Sequence, residues 1–366
     1  PAVSYPEGSP FLAAHPDVPS GLWESPGDLS EPLADRHIDL PRLRAGGVDA
    51  LVFALYVPSS LPPDQGWEHA QTLYRLAEAQ LVAGKGLVKA VYAEDVRRAV
   101  ARGEVAVVYG LENGRSLILP KVLDDCARMG IRYVTLTHVG THEWCDASTD
   151  AAAHGGLSDE GIRLVREMNR RGILPDVSHV SDLAVERVLE VSLAPPIASH
   201  SSARALCDVP RNLPDLLIRE VARVGGLVMA NTYPAFIGPE AARVNRERLA
   251  ELRPALEELD EEYLRDPAKV APESRRLFAD HPLPTVPLAT FVDHVIHLIE
   301  LAGEEHVGIG TDFDGIFETL EGFEDVSHFP ALTAALLERG VDRSGVRLIL
   351  GENFLRALEL AEQVAR

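Results

Sequence analysis

The chain has 366 residues, of which 46% are hydrophobic and 25% are charged, a composition that fits a globular protein and excludes a disordered one. Its 56 acidic residues outnumber its 35 basic residues and give a formal net charge of −21, which disfavours binding to nucleic acid. No apolar run reaches the roughly 18 residues of a membrane span, and no secretion leader precedes the first predicted strand. The three scattered cysteines make no disulfide framework. We therefore expect a cytoplasmic protein without a nucleic-acid or membrane partner.

Short apolar runs alternate with longer amphipathic segments along the chain. These runs predict eight strands, at residues 11–16, 48–57, 105–111, 131–137, 174–178, 196–200, 226–233 and 307–313. Nearly all of their residues are apolar, as in parallel strands that are buried on both faces. The alternation favours an α/β fold, a (β/α)8 TIM-like barrel. A doubly wound open sheet is the alternative, but no glycine-rich phosphate-binding motif follows any strand.

Helical patterns lie between the predicted strands. Residues 158–171 begin with a serine that can cap a helix and end before Gly172, and residues 287–302 carry an apolar stripe. Residues 239–284, between the seventh and eighth predicted strands, are charged and helix-prone, and we call them the helical insertion. A solvated surface element is the simplest interpretation, and a lid or a dimer surface is the alternative. We expect residues 1–366 to form one barrel domain that carries this insertion.

Seven ionisable residues fall at the carboxyl ends of six predicted strands, and we call them the strand-end cluster. They are His15, Asp17, Glu112, His138, His179, His200 and Asp312. This edge of a barrel is where active sites are built. One such residue is most often structural, whereas seven at one edge predict a functional site.

Five members of the cluster suit two metal ions. His15 and Asp17 alternate along a strand, so that both side chains can reach one ion. His179 and His200 end consecutive strands, which lie about 4.8 Å apart in a sheet, and can share a second ion. Glu112 offers two oxygens and can bridge two metals.

The remaining polar residues suit catalysis and substrate binding. Asp312 can move a proton from a metal-activated water to a leaving nitrogen, and His138 can stabilise an oxyanion. Arg211 can hold a carboxylate with two parallel hydrogen bonds, although a surface arginine is as good an interpretation from spacing alone. Tyr233 could face the pocket, but a core tyrosine explains it equally well.

Two further acidic motifs compete with these assignments. His37 and Asp39 form a second His-x-Asp pair, which we discount because it runs into a polar segment before the second strand. Asp314 competes with Asp312, but its position two residues further on suits a turn or a helix cap.

The motifs occur in an order that resembles the membrane (renal) dipeptidase family of dinuclear zinc peptidases, a branch of the amidohydrolase superfamily. The resembling segments are HPDVP at 15–19, DLPRLRAGGV at 39–48, GLEN at 110–113, IRYVTLTH at 131–138, GLSDEGIRLVREMNRRGILPDVSH at 156–179, ASHSSARAL at 198–206, PRNLPD at 210–215, HVGIGTDFDG at 306–315 and GENFLRAL at 351–358. Each segment is a weak signal alone, whereas the combination covers nearly the whole chain.

The resemblance implies two zinc ions per chain on the five ligands named above, whereas the spacing alone suits manganese or cobalt equally well. It also implies that Arg211 binds the C-terminal carboxylate of a dipeptide, that Asp312 carries the proton and that His138 lies at the oxyanion. Tolerance of a D-residue at the C-terminal position and a homodimer are further family expectations. The chain departs from the family at Asn113, where glycine is more usual, and in the first motif, which lacks an acidic residue before His15.

The sequence therefore predicts a metal-dependent dipeptidase. A lactonase, a deaminase or a cyclic-amide hydrolase on the same barrel is the nearest alternative. A metal-binding barrel without catalytic activity is the alternative from a different class.

Overall fold

The computed structural model describes residues 10–81 and 86–365. Residues 1–9, 82–85 and 366 of the predicted 1–366 domain lie outside the described residues. The described strands are β1 (Leu12–Ala13), β2 (Ala50–Tyr56), β3 (Leu87–Lys89), β4 (Val105–Glu112), β5 (Ile131–Thr135), β6 (Leu174–Asp176), β7 (Ile197–Ala198), β8 (Leu227–Asn231) and β9 (Val307–Gly310).

Eight of these strands form a parallel barrel in the order β1-β2-β4-β5-β6-β7-β8-β9. A parallel bridge between Ala14 and Gly310 joins the last strand to the first, and the Thr311 amide donates a hydrogen bond of 2.9 Å to the Ala14 carbonyl. The predicted barrel is confirmed, because each predicted run overlaps one of the eight strands.

Alternate residues of the long strands enter different cores, which explains their continuous apolar runs. In β2, Leu51, Phe53 and Leu55 join the larger hydrophobic cluster, whereas Ala50 and Val52 join the smaller one. Both faces of the strand are therefore dry, as expected for a barrel strand covered by helices.

Two details of the barrel differ from the sequence prediction. The sequence pattern did not reveal β3, a strand of three residues that pairs with Val105–Val107 at the beginning of β4. The first predicted strand, 11–16, shortens to Leu12–Ala13. It ends there because His15 adopts a left-handed backbone with φ of 58° and Pro16 has no amide proton for a ladder.

Fifteen α-helices cover the described part of the barrel. They are α1 (Val18–Glu24), α2 (Leu40–Gly46), α3 (Pro63–Glu78), α4 (Ala93–Ala101), α5 (Val122–Met129), α6 (Asp159–Asn169), α7 (Asp182–Val191), α8 (Asp215–Arg223), α9 (Pro234–Ile237), α10 (Pro239–Tyr263), α11 (Pro267–Ala279), α12 (Leu288–Ala302), α13 (Phe329–Glu338), α14 (Arg343–Arg347) and α15 (Asn353–Val364). The Ser158 hydroxyl caps α6 by accepting from the Gly161 amide at 3.2 Å, as the sequence predicts. None of the described helices combines the length and the apolar character that crossing a bilayer requires.

The helical insertion consists of α10 and α11 and lies between β8 and β9, where the sequence places it. Its outer surface carries pairs of opposite charge, such as Arg243 with Glu240 and Glu247, and Lys269 with Glu262. Its inner side contacts the barrel through Arg248, which is 2% exposed.

Candidate metal centre and active site

The strand-end cluster converges at one edge of the barrel. Glu112 is the last residue of β4, His15 and His200 lie two residues after β1 and β7, and His138 and His179 lie three residues after β5 and β6. These strands end at the same level of the barrel, and the turns that follow them place the imidazole rings side by side. The rings of His15 and His200 stack with centroids 3.8 Å apart, and those of His138 and His179 lie 4.3 Å apart.

The backbone is strained at this edge. The site residues with a left-handed backbone are His15 (φ 58°), Asn113 (φ 73°), His179 (φ 70°), Asp312 (φ 58°) and Asp314 (φ 66°), and outside this edge Lys121 completes the non-glycine residues of this kind among those described. Such a conformation costs about 1–3 kcal/mol per residue and is concentrated at functional sites. It turns the chain out of the strand direction and lets the side chains point across the barrel mouth.

Glu112 lies at the centre of the histidines. Its Oε2 is 3.2 Å from His15 Nε2, and its Oε1 is 3.2 Å from His179 Nε2 and 3.5 Å from His200 Nε2. Burial alone would raise the pKa of this carboxyl, but His15, His179 and His138 hold it well below its usual range. The two oxygens of one carboxylate therefore face different imidazoles.

Two groups of side chains could each hold a metal ion, and Glu112 belongs to both. One group is His15, Glu112 and His200, and the other is Glu112, His138 and His179; within each group the ligand atoms lie within 4.8 Å of one another. The groups overlap, since His179 Nε2 and His200 Nε2 are only 2.9 Å apart.

The donor atoms fit a divalent cation. The buried His15 Nε2, Asp17 Oδ1, His138 Nδ1 and His179 Nδ1 have no hydrogen-bond partner. Burial, and then the neighbouring carboxyls Glu112 and Asp312, raise the pKa of Asp17 well above its usual value. A cation in the cluster would give His15 Nε2 and Asp17 Oδ1 a partner and offset the repulsion between carboxylates.

Asp17 lies beside Asp312 rather than within either ligand group. A Cβ on Gly315 would meet Asp17 Oδ2 at 2.2 Å and Asp312 Oδ1 at 3.2 Å, so only glycine leaves room for both carboxylates. Asp312 accepts a hydrogen bond of 3.1 Å at Oδ2 from the Asn231 side chain, and burial raises its pKa.

Arg211 lies in the same buried region. Its Nη2 donates to the His200 carbonyl at 3.1 Å and its Nη1 to the Ser201 hydroxyl at 3.4 Å, while its Nε has no partner. Burial lowers its pKa to about 10, so the guanidinium stays charged at neutral pH. A buried cation with an unused donor is suited to bind an anionic group.

Tyr233 is positioned by contacts from β8 and the helical insertion. Its amide donates to Asn231 Oδ1 at 2.6 Å, and its hydroxyl accepts from Arg248 Nη2 at 3.0 Å and donates to Asn245 Oδ1 at 3.3 Å. These contacts link Tyr233 to the side chain that holds Asp312.

The discounted motif lies outside both ligand groups. The His37 amide donates to Asp314 Oδ1 at 2.7 Å, and the Asp314 amide donates to His37 Nδ1 at 2.9 Å. Asp39 caps α2 by accepting from the Arg42 amide. Both acidic residues therefore have local structural partners.

Sequence reasoning missed the polar residues that support the cluster. Asp176 and Ser199 lie behind the histidines, and Asn231 holds Asp312. Asp176 and Ser199 lie within the two histidine motifs DVSH and ASH, which is the signal that could have found them. No local pattern points from Asn245 or Arg248 to Tyr233.

A closed parallel barrel with imidazole and carboxylate donors at the carboxyl ends of its strands defines a metal-dependent hydrolase of the TIM-barrel type. The family model described as membrane dipeptidase (peptidase family M19) matches residues 6–366. The chain belongs to this family and is a metal-dependent dipeptidase.

Individual relatives agree with the family assignment. Dipeptidase tcpJ of Claviceps purpurea (strain 20.1) is 33% identical over 340 residues, which are 90% of this chain and 70% of that protein. The structure of the probable dipeptidase PvdM from Pseudomonas aeruginosa is 25% identical and covers 98% of this chain and 97% of its own, with a TM-score of 0.84. A metallo peptidase from Rhodobacter sphaeroides, liganded with a phosphinate mimic of the dipeptide L-Ala-D-Ala, is 25% identical and covers 97% of this chain and 100% of its own, with a TM-score of 0.77.

Proposed function

We propose that the chain is a dizinc dipeptidase whose substrates include L-Xaa-D-Xaa dipeptides. The observation that carries the proposal is the division of the Glu112 carboxylate. One oxygen faces His15, and the other faces His179 and His200. This division supports Glu112 as the bridge, with His15 on one ion and His179 and His200 on the other. Asp17 completes the first set in this proposal, supported by its buried Oδ1, which has no hydrogen-bond partner.

The bound ions would lower the pKa of water and polarise the peptide carbonyl. The protein supplies the proton transfer. Asp312 Oδ2 is occupied by Asn231, which leaves Oδ1 to take a proton from the attacking water and deliver it to the leaving nitrogen. The carbonyl carbon gains the water oxygen, the C–N bond breaks, and a free amine and a free carboxylate result.

Arg211 and His138 would orient the substrate. The free Nε of Arg211 supports binding of the C-terminal carboxylate, which lies one residue beyond the scissile bond. The ring of His138 packs against Tyr56 at 4.8 Å and against His179, and its Nδ1 has no partner, which supports a role at the oxyanion. Tyr233 is the candidate for a side wall of the pocket.

The stereochemical part of the proposal is supported by a structural relative. The Rhodobacter sphaeroides metallo peptidase binds a mimic of L-Ala-D-Ala, and its fold matches this chain over 97% of the length. A pocket on a closely similar fold therefore holds a mimic of a dipeptide that ends in a D-residue.

Hydrolysis of a library of L-Xaa-L-Xaa and L-Xaa-D-Xaa dipeptides tests the proposal, with metal content measured by elemental analysis. We expect turnover with about two zinc ions per chain, and we expect Asp312→Asn to lower kcat about 10²- to 10⁴-fold without loss of metal. Asp314→Asn is the matched control, since its carboxylate pairs with the His37 amide. It should retain most of the activity.

Other outcomes would redirect the assignment. Two metals without turnover on any dipeptide would favour a lactonase, a deaminase, a cyclic-amide hydrolase or an inactive metal-binding barrel. Fewer than two metals would contradict the ligand set, beginning with His15 and Asp17. The homodimer stays a prediction, which the molar mass in solution would test.

A further inference from the structure

Asp176 is buried behind the strand-end cluster and accepts four hydrogen bonds. Its Oδ1 accepts from the amides of Ser178 at 3.0 Å and Ser199 at 2.8 Å. Its Oδ2 accepts from the hydroxyls of Thr135 at 2.5 Å and Ser199 at 2.6 Å. As a carboxylate, Asp176 has no proton to give, so every one of these bonds points toward it.

The position of the Ser199 proton follows from these bonds. The single proton of the hydroxyl points to Asp176, and the oxygen keeps its lone pairs for donors. His200 Nδ1 lies 2.7 Å from this oxygen. Since Ser199 has no second proton to offer, the His200 Nδ1 must carry the proton of this bond.

A histidine that is protonated at Nδ1 presents a lone pair at Nε2. Nε2 is the atom of His200 that lies 3.5 Å from Glu112 and belongs to the ligand group. We propose that Asp176 and Ser199 form a relay that fixes the tautomer of His200 and so prepares its Nε2 to bind metal. Carboxylates behind ligating histidines commonly act in this way, directly or through a hydrogen-bonded group.

The relay determines the tautomer of His200 but not that of His15. His15 Nδ1 lies 3.1 Å from the same Ser199 oxygen but only 2.6 Å from the Tyr133 hydroxyl, which can also donate to it. The Tyr133 ring reaches this place because residue 110 is glycine, whose absent Cβ would lie 2.1 Å from the ring. The hydrogen bonds therefore determine one tautomer for His200 and leave two open for His15.

Asp176→Asn is a nearly isosteric test, because the surrounding groups fix the orientation of the new amide. The Ser178 and Ser199 amides require an oxygen at the Oδ1 position, so the NH2 group must face Ser199. The Ser199 oxygen then accepts from the amide, and its proton turns to His200 Nδ1. The proton of His200 moves to Nε2, where it blocks the metal.

The experiment uses the full chain, freed of metal with a chelator and labelled with 15N-histidine. NMR at neutral pH reads the tautomer of His200, whose signal is assigned by its loss in His200→Asn, and zinc is then titrated into the same samples. In the wild type we expect a proton on Nδ1. In Asp176→Asn we expect it on Nε2, with zinc affinity lowered about 10- to 100-fold. Thr135→Val removes a bond to the same carboxylate oxygen and should keep both the tautomer and the affinity.

An unchanged tautomer or an unchanged zinc affinity in Asp176→Asn would overturn the relay, and so would an equal shift in Thr135→Val. If Asp176→Asn does not fold, Ser199→Ala decides, since it removes the only described acceptor of His200 Nδ1. A tautomer and an affinity like those of the wild type in that variant would also refute the relay. The inference rests on His200 as a proposed ligand. A wild type that binds no zinc would contradict the proposed function, whereas the tautomer measurement tests the relay separately.

Discussion

The strand-end cluster and the helical insertion are built in opposite ways. In the cluster, buried polar atoms such as His15 Nε2 and Asp17 Oδ1 have no hydrogen-bond partner, and five residues of the barrel edge have a left-handed backbone. In the insertion, surface charges pair within one or two helical turns, as Arg243 does with Glu240 and Glu247. None of its described residues has a left-handed backbone.

The difference shows that stability is lost at the functional site and not in the helical insertion. Backbone strain persists at the cluster because the surrounding barrel holds this geometry in place. The repulsion between carboxylates persists because a bound cation would offset it. The insertion instead balances its surface charges within its own helices. What it contributes to the site passes through a small number of buried contacts, chiefly those of Arg248.

Of the effects expected on substrate binding and on stability, the largest comes from Arg211→Met, beside the strand-end cluster. Loss of a buried charge that binds a carboxylate costs about 2–5 kcal/mol, so kcat/KM on dipeptides should fall roughly 30- to 3,000-fold. Dipeptide amides lack that carboxylate and should be hydrolysed equally by both proteins. Steady-state kinetics on matched free and amidated substrates measures the difference.

The control for this prediction is Arg219→Met in α8. Arg219 is exposed, and a surface substitution of this kind has little effect, so both substrates should keep their kcat/KM. An Arg211→Met enzyme that still prefers the free dipeptide would refute carboxylate binding by Arg211.

At the insertion, the next largest effect is expected from Arg248→Met, and mainly on stability. Arg248 pairs with Glu318, which is 22% exposed, and donates to Tyr233 and Asn245. Breaking a fully buried pair costs about 3–5 kcal/mol, and the partial exposure of Glu318 should reduce the loss to about 2–3 kcal/mol. Urea unfolding measures the change.

The exposed Arg246→Met is the comparison for Arg248→Met, with an expected change within about 0.5 kcal/mol. Equal unfolding of the two variants would show that the insertion does not depend on its buried arginine. A fall in kcat/KM for Arg248→Met as large as that expected for Arg211→Met would show that the insertion acts on the substrate and does not only stabilise the fold.

The barrel and the strand-end cluster were predictable because both follow from local patterns. Parallel strands buried on both faces read as apolar runs, and the polar residue that ends each run must lie at the same edge. Thus Glu112 and His200, which are far apart in the sequence, could be placed together. Their metal and catalytic roles stay predictions.

The remaining features depend on tertiary contacts that no local pattern encodes. The strand β3 is too short to show a period, and its partner among the described strands is the beginning of β4. The pairing of Arg248 with Glu318 spans 70 residues, and that of His37 with Asp314 spans 277. The left-handed backbone of His15, which shortens β1, is imposed by the site and opposes local preference.

A smaller effect is expected at His69, which lies between the barrel and the helical insertion. Its ring makes edge contacts with Trp23 of α1 and Tyr263 of α10. Burial lowers its pKa to about 4, below the value of about 6.5 in an unfolded chain. The unfolded chain therefore takes up a proton that the folded chain refuses, so stability is full above about pH 6.5 and falls as the pH approaches about 4.

His69→Phe should remove this part of the pH dependence. Between about pH 7 and about pH 5, the wild type should lose about 1–2 kcal/mol more stability than the variant. Other buried histidines with a lowered pKa, such as His142 and His294, are present in both proteins and cancel in the difference. Parallel losses in urea unfolding at the two pH values would contradict a neutral His69 between α1 and α10.

The smallest expected effects distinguish the two regions by their sign. Glycine should be more stable than alanine at the barrel edge and less stable than alanine in the helical insertion. Asn113 has φ of 73°, a conformation that costs an L-residue with a Cβ about 1–2 kcal/mol, so Asn113→Gly should be more stable than Asn113→Ala by about 1 kcal/mol. Both variants lose the bond from Asn113 Nδ2 to the Val57 carbonyl, so that loss cancels. At the exposed Ala250 in α10, Ala250→Gly should instead cost about 1 kcal/mol.

Thermal unfolding of the three variants measures both signs. Glycine that destabilises at both positions would mean that position 113 can relax out of the left-handed region, and that the strain at the barrel edge is not imposed by the fold.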